Sequence, residues 1–122
     1  MTVRSSTSSV LRWPGRDEVL RAIGEWAATQ ARRRPELLAL GYFGSLASGH
    51  WGVGSDADLV AVVSEAEAPF HERTRTWPVE ELPVPADLLI YTREEWRRLL
   101  SSGSRFGRML AEEVVWVWGR PP

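Results

Sequence analysis

The chain has 122 residues, of which 43% are hydrophobic and 25% charged, the composition of one globular domain. A net charge of −1 excludes the broad basic surface that sequence-independent nucleic-acid binding needs. The lack of cysteine excludes disulfides and thiolate metal sites. No apolar run is long enough to cross a membrane, so we expect a cytoplasmic protein.

The start of the chain predicts a tail followed by a helix. Residues 1–15 are rich in serine and threonine and predict a flexible tail, and residues 16–122 predict one domain. Over residues 17–34 the apolar side chains recur at helical spacing, with acids in the first turn and arginines in the last. Pro35 ends this helix because proline has no backbone N–H to donate.

The rest of the chain alternates short apolar runs with helical patterns. The predicted elements are a strand over 38–43, a helical turn over 46–49, a loop over 50–55, a strand over 58–63, a helix over 65–76, a strand over 87–91, helices over 93–100 and 105–113, and a strand over 114–118. Pro78, Pro83 and Pro85 predict no regular structure before the third strand. Thr92 and Glu95 predict a capping box. The alternation predicts an α/β (α+β) fold, a small mixed sheet of about four strands flanked by helices.

A glycine and a serine, Gly44 and Ser45, follow the first predicted strand where a helical turn begins. Free backbone N–H groups at a helix start bind phosphate, and a glycine lets the phosphate approach closely. The serine hydroxyl adds a further donor. The same pair is also typical of a serine that caps a helix, so the pattern alone leaves both interpretations open.

Three aspartates lie at the starts of predicted strands. Asp56 and Asp58 stand two residues apart and therefore project from one face of the second strand. Like charges this close repel unless a cation lies between them, and Mg²⁺ prefers such oxygen ligands. Asp87 opens the third strand and joins them if the two strands are neighbours. Three carboxylates would hold two Mg²⁺ ions for in-line displacement at phosphorus; solvated turn residues are the alternative.

These motifs together are similar to those of a known family. They are the stretch 41–49, Gly-Tyr-Phe-Gly-Ser-Leu-Ala-Ser-Gly, the stretch 54–60, Gly-Ser-Asp-Ala-Asp-Leu-Val, and the strand over 86–91. The chain resembles the minimal nucleotidyltransferase (MNT) family of the DNA polymerase β-like nucleotidyltransferase superfamily. The resemblance covers residues 17–118 and implies the nucleotidyltransferase fold.

The resemblance also implies an activity, a transferase that moves a nucleoside monophosphate, AMP from ATP above all, to a hydroxyl group. The implied catalytic residues and metal ligands are Asp56, Asp58 and Asp87, with two Mg²⁺ ions as cofactors. The implied nucleotide-binding residues are Gly44, Ser45, Asp56 and Asp58, with ATP or another nucleoside triphosphate as substrate. The implied partner is a helical HEPN protein, the toxin of a toxin–antitoxin pair in which the MNT protein is the antitoxin.

Two departures from the family pattern remove positive charge near the expected triphosphate. Ser48 stands where members often carry an arginine, and residues 50–54 read His-Trp-Gly-Val-Gly where members often have proline or arginine. The lost charge favours one alternative, a module that neutralises its partner by contact. A transferase that acts on a small molecule is a further alternative. The sequence does not determine the acceptor, the preferred base or the oligomeric state.

Tryptophan is unusually frequent, with seven in the chain. Rings of this size dominate the cores and interfaces in which they are buried. Trp116 and Trp118 lie two residues apart on the last predicted strand, so we expect them on one face of it. Core packing is the favoured interpretation and a partner surface is the alternative.

Overall fold

The computed structural model describes residues 13–122, so most of the predicted tail lies outside the described residues. The elements are helix α1 (Arg16–Arg33), strand β1 (Leu37–Phe43), short helix α2 (Ser45–Ser48), strand β2 (Ala57–Val63), two 3₁₀ helices (Phe70–Thr76 and Val79–Glu81), strand β3 (Ala86–Thr92), helices α3 (Arg93–Ser101) and α4 (Arg105–Glu113), and strand β4 (Val115–Gly119). The predicted strands and helices are confirmed to within one residue at each end, except over 65–76. Within the described part of the chain, no helix is long and apolar enough to span a membrane.

The strands form one mixed sheet in the order β3-β2-β1-β4. Strand β1 pairs antiparallel with both β2 and β4, whereas β2 and β3 run parallel. A parallel pair needs a long connection between its strands, and the segment with the two 3₁₀ helices supplies it. The predicted small mixed sheet flanked by helices is confirmed.

Helices cover both faces of the sheet, and the sheet separates the core into two clusters. On one face, Ile23 of α1 packs with Leu59 of β2. On the other face, Val60 of β2 packs with Trp96 of α3 and Leu110 of α4. Because side chains alternate along a strand, cover on both faces explains why β2 is a near-continuous apolar run. Each such side chain contributes about 1.5–3 kcal/mol when it is fully buried.

The predicted helix over residues 65–76 is wrong in extent and in type. Residues 65–69 are not helical, and a 3₁₀ helix occupies Phe70–Thr76. Pro69 stands at the N-cap and disfavours a helical conformation for the residue before it. The 3₁₀ helix buries no apolar side chain, and its Phe70 is 40% exposed, so no apolar face stabilises a longer α-helix. The prolines that follow also allow a short 3₁₀ turn, Val79–Glu81, where no regular structure was predicted.

Trp116 and Trp118 do not share a face, so that prediction is wrong. Trp116 packs edge-on against Trp96, with ring centroids 5.5 Å apart, whereas Trp118 packs against the α1 side of the core. Leu40 pairs with Trp118, but the next residue, Gly41, pairs with Trp116. This bulge places an extra residue in β4 and reverses the alternation of its side chains. Both rings are partly buried in the core, which confirms the favoured interpretation.

Arg73 joins the first 3₁₀ helix to β3 and α3. Its side chain is only 9% exposed, and it donates to the Ile90 carbonyl (3.0 Å) and to Glu95 (Nη1 to Oε1, 2.6 Å). Thr92 and Glu95 form the predicted capping box at the start of α3. The hydrogen bond from Arg73 is the main cause that lowers the pKa of Glu95, to about 2.

We expect Glu95 to make the fold sensitive to acid. Its pKa falls from 4.5 to about 2 on folding, so its stabilising effect is complete above pH 4.5 and is lost as the pH approaches 2. In urea unfolding across this pH range, the free energy of unfolding of Glu95→Gln should decline less than that of the wild type, by about 2 kcal/mol. Glu94→Gln, in the same turn, is the matched control and should decline as the wild type does. Equal declines for the wild type and Glu95→Gln would contradict the assignment.

Candidate functional site

The parallel pairing of β2 and β3 sets two of the predicted carboxylates side by side. Asp58 and Asp87 are register partners, and each is the second residue of its strand. Asp56 precedes the first residue of β2 and is exposed. Sequence reasoning required β2 and β3 to be neighbours, and they are. The three aspartates therefore lie at one end of the sheet.

The three aspartates interact electrostatically. Burial raises the pKa of Asp58 above its ordinary value, and the negative charges of Asp87 and Asp56 raise it further. Oxygen donors with surplus negative charge suit a hard divalent cation such as Mg²⁺. Among residues 13–122, no three acidic or imidazole side chains are already gathered as in a formed metal site. The oxygen donors and the charge of Asp58, Asp87 and Asp56 would suit Mg²⁺, and the pairing of β2 with β3 places Asp58 and Asp87 next to each other.

The glycine–serine turn lies against one of these carboxylates. Gly44 follows β1 with a φ of 69°, in the left-handed region, and α2 begins at Ser45. A Cβ atom at Gly44 would collide with Oδ2 of Asp58. The glycine is thus needed for close packing of a site carboxylate against the turn. From the sequence alone, this glycine was expected only to let a phosphate approach.

An arginine from a helix distant in the chain contacts the short helix that follows this turn. Residues 35–72 contain neither lysine nor arginine, and the Ser48 hydroxyl lies 2.9 Å from Nδ1 of His50. Arg16, the first residue of α1, donates from Nε to the Leu46 carbonyl of α2 at 2.8 Å. Sequence reasoning missed Arg16 because the contact joins residues thirty positions apart. No local motif predicts such a contact.

A cavity of about 520 Å³ opens beside the two paired carboxylates. It is lined by Asp58, Asp87 and Thr74, and by the apolar side chains of Phe43, Val79, Ala86, Leu88, Leu89 and Phe106. Its volume lies in the range of small-molecule sites, which are mostly apolar with a few polar groups. Phe106 was not predicted as a site residue, because its place in the sequence indicated only a helix face.

Comparisons with known proteins identify the family and the fold. The sequence profile of the nucleotidyltransferase domain family matches residues 26–111, more than half of the chain. No curated protein matches the sequence. A candidate nucleotidyltransferase from Sulfolobus solfataricus superposes with a TM-score of 0.63 at 21% identity, covering 86% of this chain and 84% of that one.

Two further solved structures share the fold. One is a toxin–antitoxin with AMP-PNP, with a TM-score of 0.56 at 18% identity. The other is a mutant of the toxin–antitoxin MntA-HpeT, with a TM-score of 0.54 at 16% identity. Each match covers 80% of this chain and 73% of the other. At these identities the likeness concerns the fold.

The packing of Gly44 against Asp58 is testable by substitution. We expect Gly44→Ala to lower the free energy of unfolding by about 2–4 kcal/mol, because a strained φ and a collision act together. Gly49→Ala is the control for left-handed strain without a collision, since Gly49 has a φ of 84° and a ψ of 10° but nothing within 4 Å of a Cβ atom, whereas Gly44, with a ψ of −142°, lies closer to a region that only glycine adopts. That variant should lose only the strain energy, about 1–2 kcal/mol. Equal losses in urea unfolding would refute the collision with the carboxylate.

Proposed function

The chain belongs to the nucleotidyltransferase domain family, and from that premise we propose that residues 16–122 form a transferase domain that moves AMP from ATP to a hydroxyl group. We propose as its acceptor a helical HEPN-type protein, the toxin of a pair in which this chain is the cytoplasmic antitoxin. The observation that carries the proposal is the placement of Asp58 beside Asp87 and against the Gly44 turn. The fold shared with two toxin–antitoxin structures, one with AMP-PNP, supports it.

In this proposal the aspartates hold Mg²⁺ and orient the reactants. Asp56 and Asp58 would hold the Mg²⁺ that accompanies the triphosphate, and Asp87 would help to hold a second ion. Bound Mg²⁺ supplies positive charge that stabilises the attacking and departing oxygens. The acceptor oxygen forms a bond to the α-phosphorus, the bond from that phosphorus to the bridging oxygen breaks, and pyrophosphate leaves with the electron pair. Asp87 holds the acceptor hydroxyl and takes its proton.

The β- and γ-phosphates of the triphosphate need hydrogen-bond donors and a positively charged side chain. Gly44 and Ser45 provide backbone and hydroxyl donors for the β- and γ-phosphates. Arg16 supplies the positive charge that Ser48 does not provide, since its guanidinium is held at the turn by the hydrogen bond from Nε to the Leu46 carbonyl. A guanidinium binds phosphate oxygens in pairs, so one arginine supplies a strong contact.

A second candidate function is a non-catalytic antitoxin that neutralises its partner by contact. The observation in its favour is the absence of lysine and arginine from residues 35–72, the stretch of sequence that contains the glycine–serine turn. A triphosphate would then bind weakly, and the aspartates would serve only the contact surface. A transfer assay separates the two candidates.

In that assay the protein is incubated with Mg²⁺, the product of the neighbouring gene as the proposed partner, and ATP labelled at either the α- or the γ-phosphate. We expect label from the α-phosphate, and not from the γ-phosphate, to join the partner. Asp58→Asn and Asp87→Asn should each slow transfer by about 100-fold or more, because the charge that holds the cations is lost. Asp17→Asn, an exposed control in α1, should transfer at the wild-type rate. Neutralisation of the toxin without transfer of label would favour the contact antitoxin instead.

The role of Arg16 predicts a defect in nucleotide binding. We expect Arg16→Met to raise the Kd of Mg-ATP by about tenfold, since a hydrogen-bonded charge is lost. Arg21→Met, on an exposed position of the same helix, should leave the Kd unchanged. Addition of Ser48→Arg to Arg16→Met should restore binding by returning a cation to the turn. An unchanged Kd in Arg16→Met, measured by calorimetry on a folded variant, would show that Arg16 only joins α1 to α2.

A further inference from the structure

An exposed aromatic ring lines the cavity that holds the paired carboxylates. Phe106 lies in the first turn of α4 and is 40% exposed. It lines the same cavity as Asp58 and Asp87 and stands edge-to-face on Phe43, with ring centroids 6.4 Å apart. Single exposed rings are common on protein surfaces. The position of this ring beside charged site residues is what distinguishes it.

The turn that carries Phe106 is held rigidly. Ser104 caps α4 by accepting a hydrogen bond from the Gly107 N–H at 3.0 Å. A Cβ atom at Gly107 would collide with the Leu99 carbonyl of α3, so the two helices are in direct backbone contact there. A ring on such a turn is preorganised, which reduces the entropy lost when a ligand packs against it.

Phe43, which packs against Phe106, also connects this pair of rings to the glycine–serine turn. Phe43 directly precedes Gly44 in the chain, and it is the register partner of Asp58 across β1 and β2. A ligand that touches the turn, the carboxylates and Phe106 must carry phosphates at one end and an apolar face at the other. A nucleoside triphosphate has this form, because a ribose separates its phosphates from a flat base.

We propose that Phe106, supported by Phe43, is the stacking surface for the base of the nucleotide substrate. This inference rests on the proposed function, and it adds the residue that contacts the base. Stacking needs only the face of a ring and therefore tolerates every base. Apart from the two carboxylates, the hydroxyl of Thr74 is the hydrogen-bonding side-chain group that lines the cavity. Selection between bases is therefore weak, and ATP and GTP bind with similar affinity.

The test compares ligands with and without a base. Calorimetry in the presence of Mg²⁺ gives the Kd of ATP, of GTP and of inorganic tripolyphosphate for the wild type, Phe106→Ala and Phe106→Tyr. We expect Phe106→Ala to weaken both nucleotides by about 5-fold to 150-fold and to leave tripolyphosphate unchanged. Phe106→Tyr keeps the ring and should bind as the wild type does. Phe70→Ala is the matched control, because Phe70 is also 40% exposed but lies outside this cavity.

The possible outcomes distinguish a failure of the stacking role alone from a failure of the proposed function. If Phe106→Ala binds ATP as the wild type does, or loses affinity equally for ATP and tripolyphosphate, the stacking role is wrong and nucleotidyl transfer still stands. If ATP binds the wild type more than tenfold more tightly than GTP, the weak selection between bases is wrong. If the wild type binds neither ATP nor tripolyphosphate, the proposed function fails and the stacking role fails with it. Thermal unfolding of each variant establishes that the fold is intact.

Discussion

The site depends on one constraint, the parallel pairing of β2 with β3, because this pairing sets two like charges, Asp58 and Asp87, side by side. The pairing persists because β2 is buried on both faces and each buried aliphatic side chain contributes about 1.5–3 kcal/mol. Near a protein surface, two like charges about 4 Å apart repel each other by about 4 kcal/mol. Burial along the strands therefore outweighs the repulsion at their ends. The fold holds in place a charge pair that a cation would relieve.

Two clusters of charge in this domain show opposite electrostatic behaviour. Glu95 is paired with Arg73, and its pKa lies well below the ordinary value. Asp58 has acids as its neighbours, and burial and those charges raise its pKa. A paired carboxylate stabilises the fold at neutral pH, whereas a carboxylate kept among like charges costs stability there. A carboxylate kept among like charges is typical of functional sites, and here it lies at the cavity and against the glycine–serine turn.

The proposed chemistry is distributed over elements that lie far apart in the chain. The turn after β1 provides donors, β2 and β3 provide carboxylates, Arg16 provides a cation from α1, and Phe106 provides an aromatic face from α4. Each contribution comes from or near the end of an element. The double-sided burial of the sheet keeps these ends in fixed positions. A small domain can in this way draw several kinds of chemistry from separate elements.

The sequence by itself determined the features that depend on local interactions. Helical periodicity, β-branched runs and the capping box at Thr92 act over a few residues, so their elements could be predicted almost to the residue. The Gly-Ser and Asp-x-Asp motifs are also contiguous, and they indicated where the candidate site lies. Only the tertiary structure decided that Asp87 lies beside Asp58 and that Phe106 lines the cavity. The same holds for the bulge that places Trp116 and Trp118 on opposite faces of β4. Those features arise from contacts between residues distant in the chain, and the energies of such contacts are set by packing that no local pattern encodes.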